Sequence, residues 1–259
     1  MNLDSIAEPL RLVKGSYRPE SGKWCAMNAI SYISGDKHIT DFPPTSARPL
    51  AAFVQLCNDL LAGPDGYLSP DNSVLALELG RQTIQTTDVA DNVVHGWVAE
   101  LLSSSAWGVV QYVENAAAAA IFDIAELHRR LAAGDMPPIA AWDSADRAAR
   151  AVVATLSGAR VYAVRTAYQA TALVNTERSA TLDAVTGNAL HAHTLAAEDN
   201  GVARIVELTR HAIRSWRRLA HGRWPPGRES DPSGPRIAPG AAGPHGQPGP
   251  PSPGPWPRR

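Results

Sequence analysis

The chain has 259 residues, 44% of them hydrophobic but only 6% aromatic, with two cysteines and a formal charge of -1. Two cysteines exclude a disulfide framework and fit a reducing compartment, and the longest apolar run, residues 116–122, falls far short of the roughly 20 residues that span a bilayer. The near-neutral total hides a split: residues 1–200 hold 14 Lys and Arg against 22 Asp and Glu, net -8, whereas residues 201–259 hold 10 against 3, net +7. An acidic body with a basic end suits an anion-binding extension, or one that lies on its own body.

The N-terminus "MNLDSIAEPLRLVKG" carries early acids and no apolar run of signal-peptide length, so a cytoplasmic chain without a transmembrane segment is the expectation. A first helix is predicted in "GKWCAMNAISYISGD", with Ala26, Ala29, Ile30 and Ile33 on its apolar face and Cys25 at the margin. If it starts at Lys23 or Trp24, the Cys25 thiol lies in the first turn, where the helix dipole and Lys23 favour a thiolate. The competing reading makes Cys25 a packing residue. A nucleophilic Cys25 needs a base, for which His38 and His95 are the candidates, with Asp36 or Asp41 in support. Asp36, His38 and Asp41 of "GDKHITDFPP" are also metal-ligand types, but one loop without a partner motif reads better as a solvated turn, and no metal or cofactor is expected.

In "PLAAFVQLCNDLLAG" the positions Leu50, Phe53, Val54, Cys57 and Leu61 form one helical stripe, which places Cys57 in the core; Pro49 opens this helix, and Gly63 with Pro64 closes it. Ser69, Pro70 and Asp71 predict another helix start, and weaker helices follow over 92–104 and 115–133. Gly134 and the Pro137-Pro138 pair mark a break between two helical halves. Residues 143–198 read as one long helix or a helical hairpin, started by Asp143, Ser144 and Asp146, with Gly158 either interior or a joint. His191 and His193, two apart, do not form the i, i+4 zinc pair and read as surface histidines.

The last helix, "NGVARIVELTRHAIRSWRRLAHG", has the clearest period: Ile205, Leu208, Ala212, Trp216 and Leu219 face inward, and Arg204, Arg210, Arg214, Arg217 and Arg218 fill much of the rest. With His211 and His221 nearby, and Trp216 or Trp224 as a stacking surface, Arg210, Arg214, Arg217 and Arg218 are candidate phosphate contacts; a solvated face is the alternative. From Arg223 onward, 12 prolines and 7 glycines in 37 residues predict a disordered tail with polyproline II character.

The elements Gly22, Cys25 and Met27 before a short helix, then Gly35-Asp36, the Asp41 to Pro43 loop, and Asn58-Asp59 on the next helix resemble a family of actinobacterial and actinophage proteins of unassigned activity. The resemblance covers about residues 20–85 and departs from the pattern at Asn28, where the family has Glu. It implies a bacterial or phage setting and no particular reaction. The expected fold is all-α: a multi-helix bundle with an acidic N-terminal region over 1–135, an Ala-rich region over 139–222 ending in the basic helix, and the tail 223–259. The expected function is a non-catalytic interaction or accessory protein with protein or nucleic acid as partner. The alternatives are a thiol-dependent enzyme using Cys25, His38 and Asp41, and a nucleic-acid or anion binder using the last helix.

Overall fold

A computed structural model describes residues 11–15, 22–175, 178–197 and 201–222. Among these residues the fold is all-α, with nine helices: α1 Ala26–Ile33, α2 Arg48–Leu61, α3 Pro70–Arg81, α4 Asp91–Ser103, α5 Asn115–Ala132, α6 Ile139–Val153, α7 Ala159–Ala170, α8 Arg178–Leu195 and α9 Gly201–Ala220. Single bridges, Val13 with Tyr67, Ser46 with Ile84 and Ala62 with Leu68, take the place of a sheet. No helix among the described residues is long and apolar enough to cross a membrane. The Pro/Gly-rich segment 223–259 lies outside the described residues.

Local signals set several boundaries. Ser69 accepts the Asn72 N–H and caps α3, with Pro70 as its first residue. Gly222, at φ +70°, follows the end of α9 in the left-handed conformation that stops a helix. The stretch 143–198 is neither one rod nor a hairpin. It contains three helices, because Gly158 adopts φ +57° just before α7 and a 3-10 turn, Thr171–Val174, ends α7 before α8 begins. The first of the three starts earlier than Asp143, at Ile139, directly after Pro138.

The core passes across the Gly134 to Pro138 break. Leu101, Ile121, Trp142, Val164 and Trp216 belong to one cluster of buried side chains, so residues 134–138 connect two helices of one packed body. Alanine explains how its second half packs: Ala149, Ala163, Ala167, Ala170, Ala189 and Ala192 are all fully buried, letting α6, α7 and α8 approach closely while each buries little area. Bulk is concentrated elsewhere. Trp97 of α4 is fully buried, with ring centroids of Phe53, Trp107 and Trp216 at 6.2, 5.7 and 5.4 Å, and its Nε1–H donates to the Ala212 carbonyl at 3.0 Å. This aromatic cluster fastens α9 to α4 and α2. On α1 and α3 the approach is tighter still: a Cβ at Gly80 would lie 2.7 Å from Ile30 Cγ1.

Candidate functional sites

Two places gather the side chains singled out in the sequence. The first is the corner around Cys25. Cys25 lies one position before α1 and caps it: Sγ accepts the Asn28 N–H at 3.4 Å, and the Asn28 side-chain oxygen accepts the Cys25 N–H at 3.3 Å. The thiol donates to Asp41 Oδ1 at 3.4 Å, and Gln55 Nε2 donates to the sulfur at 3.6 Å. Asn28 Nδ2 reaches the same Asp41 oxygen at 2.8 Å. A Glu at position 28 would set a second carboxylate against Asp41, so the amide is the complementary choice here. Met27 and Ser31 face inward beside it, whereas Ile33, assigned to the apolar face from its spacing, is 67% exposed.

Asn58 extends this corner. Fully buried on α2, it accepts the Ala26 N–H at 3.0 Å and donates to the Val13 carbonyl at 2.9 Å, while Asp59 Oδ1 accepts the Gly15 N–H at 2.8 Å. Ser31 donates to Asp36 Oδ2 at 2.7 Å and accepts the Thr40 N–H at 3.2 Å. Cys25, Asn28, Asp41, Asn58 and Asp59 therefore tie three backbone segments together. They leave the thiol fully buried, and its pKa is pushed up to about 12, first by burial and then by the Asp41 charge, against the opposing Asn28 N–H. That is opposite to the shift a thiolate needs.

His38 is exposed in the loop, and among the described residues no histidine hydrogen-bonds the Cys25 sulfur. His95 faces α5, where its Nδ1 lies 2.9 Å from Nδ1 of the buried His128. No group of three or more His, Cys, Asp or Glu side chains able to hold a metal comes together among the described residues. We expect Cys25 in the folded protein to resist alkylation at neutral pH, labelling only as fast as the chain opens, and Cys57, held at about 11 by burial, to behave alike. Rapid labelling of native protein, followed by peptide mapping to Cys25, would contradict this.

The second place is a cleft of about 770 Å³ beside the C-terminal half of α9, lined by Glu100, Trp107, His211, Arg214, Ser215, Arg217, Arg218 and His221. His211, Arg214, Arg218 and His221 recur at i, i+3, i+7 and i+10, one face of the helix. Each guanidinium is held by a different acceptor. Arg217 donates from Nε to the Gln82 carbonyl at 2.7 Å and from a terminal nitrogen to the Ile84 carbonyl at 2.8 Å. Arg218 pairs with Glu100, whose other oxygen accepts the Ser215 hydroxyl at 2.6 Å. Arg214 contacts the Arg210 carbonyl of its own helix at 3.3 Å.

The basic set of α9 thus divides. Arg210 pairs with Glu207, and Arg204 donates to Gln111 at 2.6 Å, away from the cleft; Arg214 and Arg217 make no ion pair among the described residues. Trp216 is buried and donates to the Thr86 carbonyl at 2.9 Å, so it is a core residue and offers no stacking face. Glu100, Ser215 and Trp107 carried no sequence signal, since Glu100 meets Arg218 across 118 positions of chain. His193 is a correction of another kind: it is fully buried, with Nδ1 2.6 Å from the Tyr112 hydroxyl, while His191 is exposed and stacks on Tyr162.

No protein-family model, curated protein or solved structure matches the chain.

Proposed function

We propose that the protein is a non-catalytic binding protein that takes an oxyanion of its partner in the Arg214, Arg217 and Arg218 cleft. The observation that carries this reading is the charge in that cleft: three arginines line it, and Glu100 is the one carboxylate among its lining residues. A concave site of 300–1,000 Å³ is the usual size for a ligand pocket, and guanidinium forks match carboxylate and phosphate oxygens in pairs. Holding each fork in advance lowers the ordering cost of binding. The buried Cys25 thiol, which among the described residues no histidine hydrogen-bonds, favours binding over thiol catalysis. An accessory protein of a bacterium or phage, as the family resemblance implies, fits this reading.

Inorganic pyrophosphate serves as a first probe. At a concentration about 100 times its dissociation constant it is expected to stabilise the full chain by roughly 2.7 kcal/mol, read as a rise in unfolding midpoint. Arg214→Ala is expected to weaken that response while leaving the stability of the ligand-free protein within about 0.5 kcal/mol, because Arg214 is exposed and, among the described residues, bonds its own helix backbone. A ligand-free shift alone, with no response to pyrophosphate in either protein, would remove the proposal.

A further inference from the structure

Resting on that reading, we infer that the cleft selects a dianionic terminal phosphate, a phosphomonoester, over the singly charged phosphodiesters of a nucleic-acid backbone. The charge count points there: Arg214, Arg217 and Arg218 face one carboxylate, Glu100, leaving two positive charges in excess within the cleft. A phosphomonoester carries about -1.5 to -2 at neutral pH with three terminal oxygens, whereas each internal diester carries one charge and two. Among the described residues Arg217 bonds neutral carbonyls and Arg214 another, so both keep N–H donors and full charge for such a group.

The surroundings argue against a long polyanion. A strand reading many phosphates needs a continuous basic track, and the track on α9 is interrupted, with Arg210 neutralised by Glu207 and Arg204 turned to Gln111. A cleft of about 770 Å³ has room for more than the phosphate itself, as a monoester on an organic body requires.

The test is calorimetric titration of the full chain, at pH about 7.5 in a phosphate-free buffer, with phenyl phosphate as the monoester and methyl phenyl phosphate as the diester. The monoester is expected to bind at least about tenfold more tightly, and Arg214→Gln to erase most of that preference. A single-stranded oligonucleotide with hydroxyl ends, which contains only diesters, is expected not to displace phenyl phosphate. Equal affinity for the two esters, or efficient displacement by the oligonucleotide, would overturn the dianion preference while leaving an anion cleft in place. Preference undiminished in Arg214→Gln would overturn its assignment to this cleft. No binding of either ester or of pyrophosphate would remove the underlying reading as well.

Discussion

Acidification from pH about 7.5 to about 5 is expected to cost the fold roughly 4 kcal/mol, well before most carboxylates protonate. The cause is two buried imidazoles. His128 is fully enclosed, and its pKa falls from the ordinary 6.5 to about 3, chiefly by burial and then by the neighbouring His95, with a backbone group of Ala170 acting the other way. His193 also falls to about 3, by burial and then by the Arg204 charge. Between the folded and unfolded values the unfolded chain binds a proton that the folded chain does not. Stability therefore rises with pH across that window, and each histidine loses about 1.4 kcal/mol per unit on the way down. Full stability is present above about 6.5, and the loss continues until pH approaches 3.

His95, lowered chiefly by burial and then by the Arg178 charge against the opposing Asp91, steepens the slope in the same direction. Urea unfolding at the two pH values measures the effect. His128→Gln and His193→Gln should each cut the pH-dependent loss by about half, whatever they do to stability at neutral pH. A stability that is level from pH about 7.5 to 5 would show that these rings are not shielded from water. Typical domains hold 5–15 kcal/mol in all, so the expected loss is a large fraction of the fold's margin.

Those histidines also show what a sequence conceals. Helix positions were legible wherever a local signal set them: the stripe of Leu50, Phe53, Val54, Cys57 and Leu61, the Ser69-Pro70 start, and the period of α9 all reappear as helices with the expected inward faces. The start at Ile139 and the turn after Ala170 were hidden because alanine gives little contrast between faces, whereas Gly158, legible as a joint, does divide α6 from α7. The sites depended on distant pairings. Nothing near Glu100 announces Arg218, nothing near Tyr112 announces His193, and Asn58 gives no local hint that it caps α1. Even so, three of the four arginines that the sequence marks on α9, Arg214, Arg217 and Arg218, line the cleft, since a helix face with several charges narrows the options.

Trp97→Ala is expected to destabilise the protein by about 3–5 kcal/mol, the range for truncating a large enclosed aromatic side chain. The ring lies among Phe53, Trp107 and Trp216, so its removal opens a cavity bounded by three other large side chains that cannot collapse together. The Ala212 carbonyl loses its indole donor at the same time. Because Trp107 and α9 both line the proposed anion cleft, the same substitution is expected to weaken pyrophosphate binding under conditions where the variant is still folded. Trp97→Phe, which keeps most of the ring volume, should show a smaller loss of both. Arg214→Gln supplies the opposite pattern, with binding lost and stability kept, so the two variants separate the support of the cleft from its chemistry. An unfolding midpoint for Trp97→Ala equal to that of the parent would mean that the four aromatic rings do not form the centre of the core. Intact pyrophosphate binding in a destabilised Trp97→Ala would instead detach the cleft from that centre.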